Sequence, residues 1–148
     1  MDVPSKVRRG ARSRNGPRLV LQPPSRRSAR HTSAGVLARF FAIADAWELS
    51  PLQQCRLLKI PSPQVLARYR LGQAPRLSAT QHERAALLAT IQQALHAPEQ
   101  PDRAWAWIHA PRARPPFDGD SPLYYMLERG LSGMREVARL LVRERTAP

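Results

Sequence analysis

From Ser33 onward, apolar residues recur at spacings of three and four rather than alternating, the pattern of helices buried on one face. Val36, Leu37, Phe40, Phe41, Ala44 and Trp47 make the first such stripe. Ser50-Pro51 then reads as an N-cap followed by proline at the first helical position, where its missing N–H is no loss. Leu52, Cys55, Leu57 and Leu58 supply the inward face of a short second helix ending near Lys59. Ile60 and Pro61 interrupt, and Ser62-Pro63 repeats the start signal for a third helix through Gln64, Val65, Leu66, Arg68, Tyr69 and Arg70, which Gly72 stops. Ser78 and Gln81 form a capping box before a longer helix with Leu87, Leu88, Ile91, Ala94 and Leu95 inward, ending before Pro98.

After a linker from Pro98 to Pro101, Asp102 is placed to cap a helix carrying Trp105, Trp107 and Ile108. A loop rich in proline and arginine, from Pro111 to Pro116, leads to Ser121-Pro122, again a cap followed by proline. The next helix turns Leu123, Met126 and Leu127 inward and stops at Gly130; Ser132 is read as the cap of a last helix with Met134, Val137, Leu140 and Leu141 inward. Glycines 130 and 133 are read as allowing a sharp reversal between these two helices. The pattern predicts an all-α protein, with Leu19, Val20 and Leu21 the one weak hint of a strand.

Residues 1–33 lack this periodicity. They hold nine of the 24 basic residues against Asp2 alone, with Pro4, Pro17, Pro23 and Pro24, and bury too little to offset ordering. The expected organisation is a disordered basic arm over 1–33, a helix-turn-helix region over 34–98 and a small helical domain over 99–148. The arm has two readings, one tracking phosphates and one a solvated tail.

The net charge of +13 points to polyanions, with nucleic acid ahead of a membrane surface or of solubility alone. Two short helices joined by a tight turn are a helix-turn-helix, whose second helix enters the major groove. Its first-turn and outward positions are Ser62, Gln64, Arg68 and Arg70. Glutamine suits adenine, arginine suits guanine or phosphate, and a helix-start serine suits a phosphate.

A family resemblance follows from the order of motifs. Trp107-Ile108, Phe117-x-Gly119-x-Ser121-Pro122-Leu123, Gly130 and Gly133-Met134-x-x-Val137 resemble the toxin-binding domain of the Xre/MbcA/ParS antitoxins. Upstream, Trp47-x-Leu49-Ser50, Leu57-Leu58, Arg68-x-Arg70-x-Gly72, Leu77-Ser78 and Glu83-Arg84 resemble the Xre-like helix-turn-helix of the same proteins, so that the likeness spans about 34 to 142. The resemblance implies an antitoxin that covers the active site of a RES-domain toxin, one that consumes NAD or uses it for ADP-ribosylation, and that represses its own operon. It implies toxin contacts at Trp107, Phe117, Gly119, Ser121, Pro122, Leu123 and Met126, and a homodimer within a larger toxin-antitoxin complex. Arg139, Arg143 and Arg145 are placed to approach the toxin's NAD-phosphate pocket or its acidic residues, with a solvated face as the other reading. The chain departs from the family in the proline- and arginine-rich loop from His109 to Pro116 and in its polar end, Arg143 to Pro148.

Other chemistry is poorly represented. Lone Cys55 excludes a disulfide framework and is read as a small core residue. His31, His82, His96 and His109 are scattered, so no metal or other cofactor is expected. Asp118 and Asp120 are read as serving a helix start rather than as a catalytic pair. No membrane span or secretory run is visible, and a cytoplasmic, non-enzymatic protein is expected. The rival readings are a stand-alone repressor whose C-terminal helices only dimerise and a general nucleic-acid chaperone driven by the arm.

Overall fold

A computed structural model describes the backbone of residues 26–146 and the side chains of 33–146. Most of the basic arm, with Leu19 to Leu21, lies outside the described residues. Among those described there are seven helices and no strand: α1 (Arg26–Ala46), α2 (Pro51–Leu58), α3 (Pro63–Arg70), α4 (Ala79–Leu95), α5 (Arg103–His109), α6 (Pro122–Arg129) and α7 (Leu131–Thr146). The all-α expectation holds.

The capping chemistry explains most of the helix starts. Ser50 and Ser78 each take an N–H from the residue three on, Gln53 and Gln81, and each glutamine side chain accepts in return from the serine backbone, closing two capping boxes. Ser62 and Ser121 cap α3 and α6 by the same serine-to-N3 bond, with proline at the following position.

Several boundaries differ from the sequence reading. α1 begins at Arg26, so the last residues assigned to the arm are helical. Ser33 is buried, its hydroxyl accepting from Leu77 N–H at 3.1 Å, which ties the segment before α4 to α1. Leu52, expected inward, is 65 % exposed, because Gln54 takes the buried place and donates to the Leu49 carbonyl at 2.9 Å. Asp102 precedes α5 but makes no side-chain capping bond. Ser132 lies inside α7, its hydroxyl donating to the Arg129 carbonyl.

The core is continuous. Buried apolar residues from Leu37 to Leu141 join into one cluster, so the faces of the segments 34–98 and 99–148 merge. α4 is the shared element, packing most extensively on α7 and also on α1. Fully buried Trp47 donates its indole N–H to Gln92 of α4 at 2.6 Å, and its carbonyl meets the His109 ring at 2.7 Å, a polar link between the two segments. An Arg135–Glu83 pair, bonded twice at 2.7 and 2.9 Å, clamps α7 to α4 from outside.

The reversal between α6 and α7 belongs to Gly130 alone, whose φ of 64° and ψ of −139° suit a residue without Cβ. Gly133 does something else. It is buried within α7, and a Cβ there would stand 2.6 Å from Arg129 Cβ and 3.2 Å from the Tyr125 carbonyl, so this glycine lets α7 lie close against α6.

Candidate nucleic-acid interface and partner-binding region

α2 and α3 are joined by a turn from Lys59 to Ser62. Lys59 adopts a left-handed conformation, with φ 60°, that ends α2 and directs its N–H to the Cys55 carbonyl. α3 is anchored by buried Leu66, with Val65 and Tyr69 packed against the core. The opposite face presents Gln64, Ala67, Arg68 and Leu71, all exposed, at the spacing of one helical stripe. Leu71 is 74 % exposed, and with Ala67 it gives the stripe apolar groups suited to thymine methyls. The sequence reading missed Leu71, although its place seven residues after Gln64 is the signal that finds it.

The four residues expected to read DNA divide in two. Gln64 and Arg68 stand free on the exposed face. Ser62 is half-buried and its hydroxyl is engaged by Val65 N–H, so it serves first as a cap. Arg70 is turned to the fold: its guanidinium lies 4.3 Å over the Phe41 ring, donates to Asp45 at 2.9 Å and reaches Gln54 Oε1 at 3.2 Å. Stacking and ion pairing hold α3 against α1 and α2, while Arg70 itself remains exposed.

The C-terminal motif divides more sharply. Phe117, Pro122, Leu123 and Met126 are buried, and Met126 has no exposed surface at all. Trp107 is half-buried, with Phe117 at its edge and the Arg112 guanidinium 4.6 Å above its ring. Desolvation, and secondarily the neighbouring Arg114, push Arg112 below the usual arginine range. Gly119 is exposed, and its N–H donates to the Arg112 carbonyl at 2.7 Å, folding the proline- and arginine-rich loop back on itself. Ser121 caps α6. These residues build the platform, and a partner cannot touch the buried ones without unfolding it.

What the region exposes is different. Arg139, Arg143 and Arg145 are exposed on α7, with Val142 between them at three- and four-residue spacing. Trp105 is 40 % exposed and Tyr124 50 % exposed. The sequence reading named Trp105 only as a helix residue and did not single out Tyr124, whereas Trp107 drew attention as part of a motif.

Cys55 is buried, and burial pushes its thiol up, consistent with a core residue rather than a nucleophile. No group of three His, Cys, Asp or Glu side chains able to hold a metal occurs among the described residues. No described helix is long and apolar enough to cross a membrane.

Residues 27–89 match the family model of the antitoxin Xre-like helix-turn-helix domain. The match takes in α1 from its second residue, the α2–turn–α3 unit and α4 as far as Ala89. No curated protein and no solved structure matches the chain.

Proposed function

With an antitoxin-type helix-turn-helix domain as the starting point, we propose that this protein is the antitoxin of a toxin-antitoxin pair, acting by binding rather than by catalysis. It reads operator DNA through Gln64, Arg68 and Leu71 of α3, and it masks the active site of a RES-domain, NAD-consuming or ADP-ribosylating toxin with its C-terminal helices. The match of residues 27–89 to an antitoxin domain is the observation that carries this reading.

Burial supports a narrower contact surface within this reading. Phe117, Leu123 and Met126 form the rigid base, and rigidity limits the entropy lost on association. Toxin contact then falls to the exposed residues of the same region, Arg139, Arg143 and Arg145 with Trp105 and Tyr124, residue types enriched where binding energy concentrates. Cationic side chains suit a pocket built for the phosphates of NAD. The partnership is cytoplasmic and the antitoxin dimeric, so that paired recognition helices meet a two-fold operator.

Co-expression with the toxin encoded beside it tests the proposal. The two proteins are expected to purify together, cellular NAD loss or target ADP-ribosylation to stop, and the complex to bind the DNA upstream of the pair. A chain that binds that DNA tightly but neither binds nor silences the neighbouring toxin would be a stand-alone repressor, and the antitoxin reading would fall.

A further inference from the structure

A cavity of about 570 Å³ lies where the turn of the helix-turn-helix meets the α6–α7 reversal. We infer that this cavity is a binding site for a small phosphorylated molecule, seated on Arg84 and Gly130. A volume of this size falls within the range of small-molecule pockets, roughly 300–1,000 Å³.

The case rests first on Arg84. The side chain leaves α4 and runs inward until only 7 % of the residue is exposed. Its Nη1 donates to the carbonyls of Leu57 at 3.0 Å and Arg56 at 3.3 Å, and touches the Met134 sulfur. Nε has no partner. Nη2, which makes no hydrogen bond among the described residues, stands 3.6 Å from the position a Gly130 Cβ would take, on the cavity wall. Burial lowers the affinity of this guanidinium for its proton, the sign of a charge held without full compensation. An anion in the cavity supplies what is missing.

The surroundings favour an anion independently. Arg56, Lys59 and Arg129 also line the cavity, against Glu128 as its one acid. Arg56 is partly committed, donating to the Leu127 carbonyl at 2.9 Å and lying 3.6 Å from Glu128. Two helices begin at the wall, α3 at Ser62-Pro63 and α7 just after Gly130; at α3 Pro63 carries no N–H and Ser62 takes that of Val65, so Gln64 is the first-turn N–H left there without a helix carbonyl. Leu52, Ile60 and Leu127 complete the lining with apolar surface, which suits a ring attached to the phosphate. A forked guanidinium with helix N-termini matches the several oxygens of a phosphate. The bound molecule would bridge the DNA-reading unit and the C-terminal helices, giving a means to couple them.

The test is titration of the full chain with inorganic phosphate, with pyrophosphate and with adenosine monophosphate, followed by calorimetry and by nitrogen-proton NMR. Binding is expected to shift the Arg84 Nε–H, Gly130 and Ser62 signals together, with adenosine monophosphate exceeding inorganic phosphate because of its ring. Arg84→Leu is expected to weaken binding at least about tenfold. Since that change also removes bonds to α2, the surface pair Lys59→Asn with Arg129→Gln provides a second arm and is expected to weaken binding about three- to tenfold. The equally neutralising pair Arg39→Gln with Arg103→Gln is expected to leave it unchanged. Equal losses in the two pairs, or shifts spread over the basic surface, would reduce the effect to bulk charge and overturn the site. Displacement of pyrophosphate by duplex DNA would make the cavity part of the DNA interface and overturn it equally.

Discussion

The helix-turn-helix and the C-terminal helices use their recognisable residues in opposite ways. On α3, Gln64 and Arg68 project from an exposed face that the core does not need, while Leu66 below them does the packing. In the C-terminal segment the residues that make the motif legible, Phe117, Leu123 and Met126, are themselves the packing. A motif made of packing residues reports a scaffold without marking any contact surface. In the helix-turn-helix the turn sets the scaffold, and the stripe on α3 is left to meet the ligand.

Breaking this contrast requires substitutions that separate fold from contact. The largest effect is expected at Phe117→Ala, where loss of a buried ring packed on Trp107 and Tyr125 should cost roughly 3–5 kcal/mol and lower both Tm and partner binding. A stable Phe117→Ala protein that merely fails to bind its partner would put this residue back on the contact surface.

Gly133→Ala comes next, at roughly 1–3 kcal/mol, because the added methyl meets Arg129 Cβ at 2.6 Å and the α6–α7 contact must open. Chemical denaturation reads this directly; an unchanged midpoint would mean the two helices separate freely.

Arg68→Ala should behave as the mirror image of Phe117→Ala. Stability is expected to hold within about 0.5 kcal/mol, as for an exposed position, while operator affinity falls by about 1–3 kcal/mol if the side chain reads a base. Arg70→Ala should do the reverse, costing about 1 kcal/mol of stability through its stacking on Phe41 and its exposed pair with Asp45. Comparing operator affinity and thermal melting for the two variants sharpens the division; equal DNA losses with equal stabilities would erase it.

The smallest effect concerns pH. The hydrogen bond from Arg135 is the main cause that holds the Glu83 carboxyl below the usual glutamate range. A carboxyl depressed in the folded state stabilises the fold above its unfolded pKa, and that contribution is lost as pH falls through the folded value. Stability at acid pH should therefore decline slightly less steeply in Glu83→Gln than in the parent protein. The exposure of both partners keeps the difference small.

Much of the fold was legible because its signals are local. Serine followed by proline, a serine with glutamine three residues on, and apolar positions at helical spacing each act within one or two turns, and they located α2, α3, α4 and α6. The beginning of α1 was not legible, since residues 26 to 33 are polar and arginine-rich and are helical in continuation of a stripe that starts later. Ser132 and Asp102 carried the right chemistry for caps at positions where the backbone did not need them.

By itself the sequence determined an all-helical chain, an exposed polar stripe on the second helix of a helix-turn-helix, and a positive charge suited to polyanions. Only the tertiary structure decided that Arg70 stacks on Phe41 and pairs with Asp45, that Phe117, Leu123 and Met126 of the C-terminal motif are interior, and that Arg84 lies buried beside Gly130 with donors unmet among the described residues. The physical reason is range. Periodicity and capping act along the chain, whereas the partner of a guanidinium or the neighbour of a missing Cβ comes from residues far away in sequence, and packing alone brings them together.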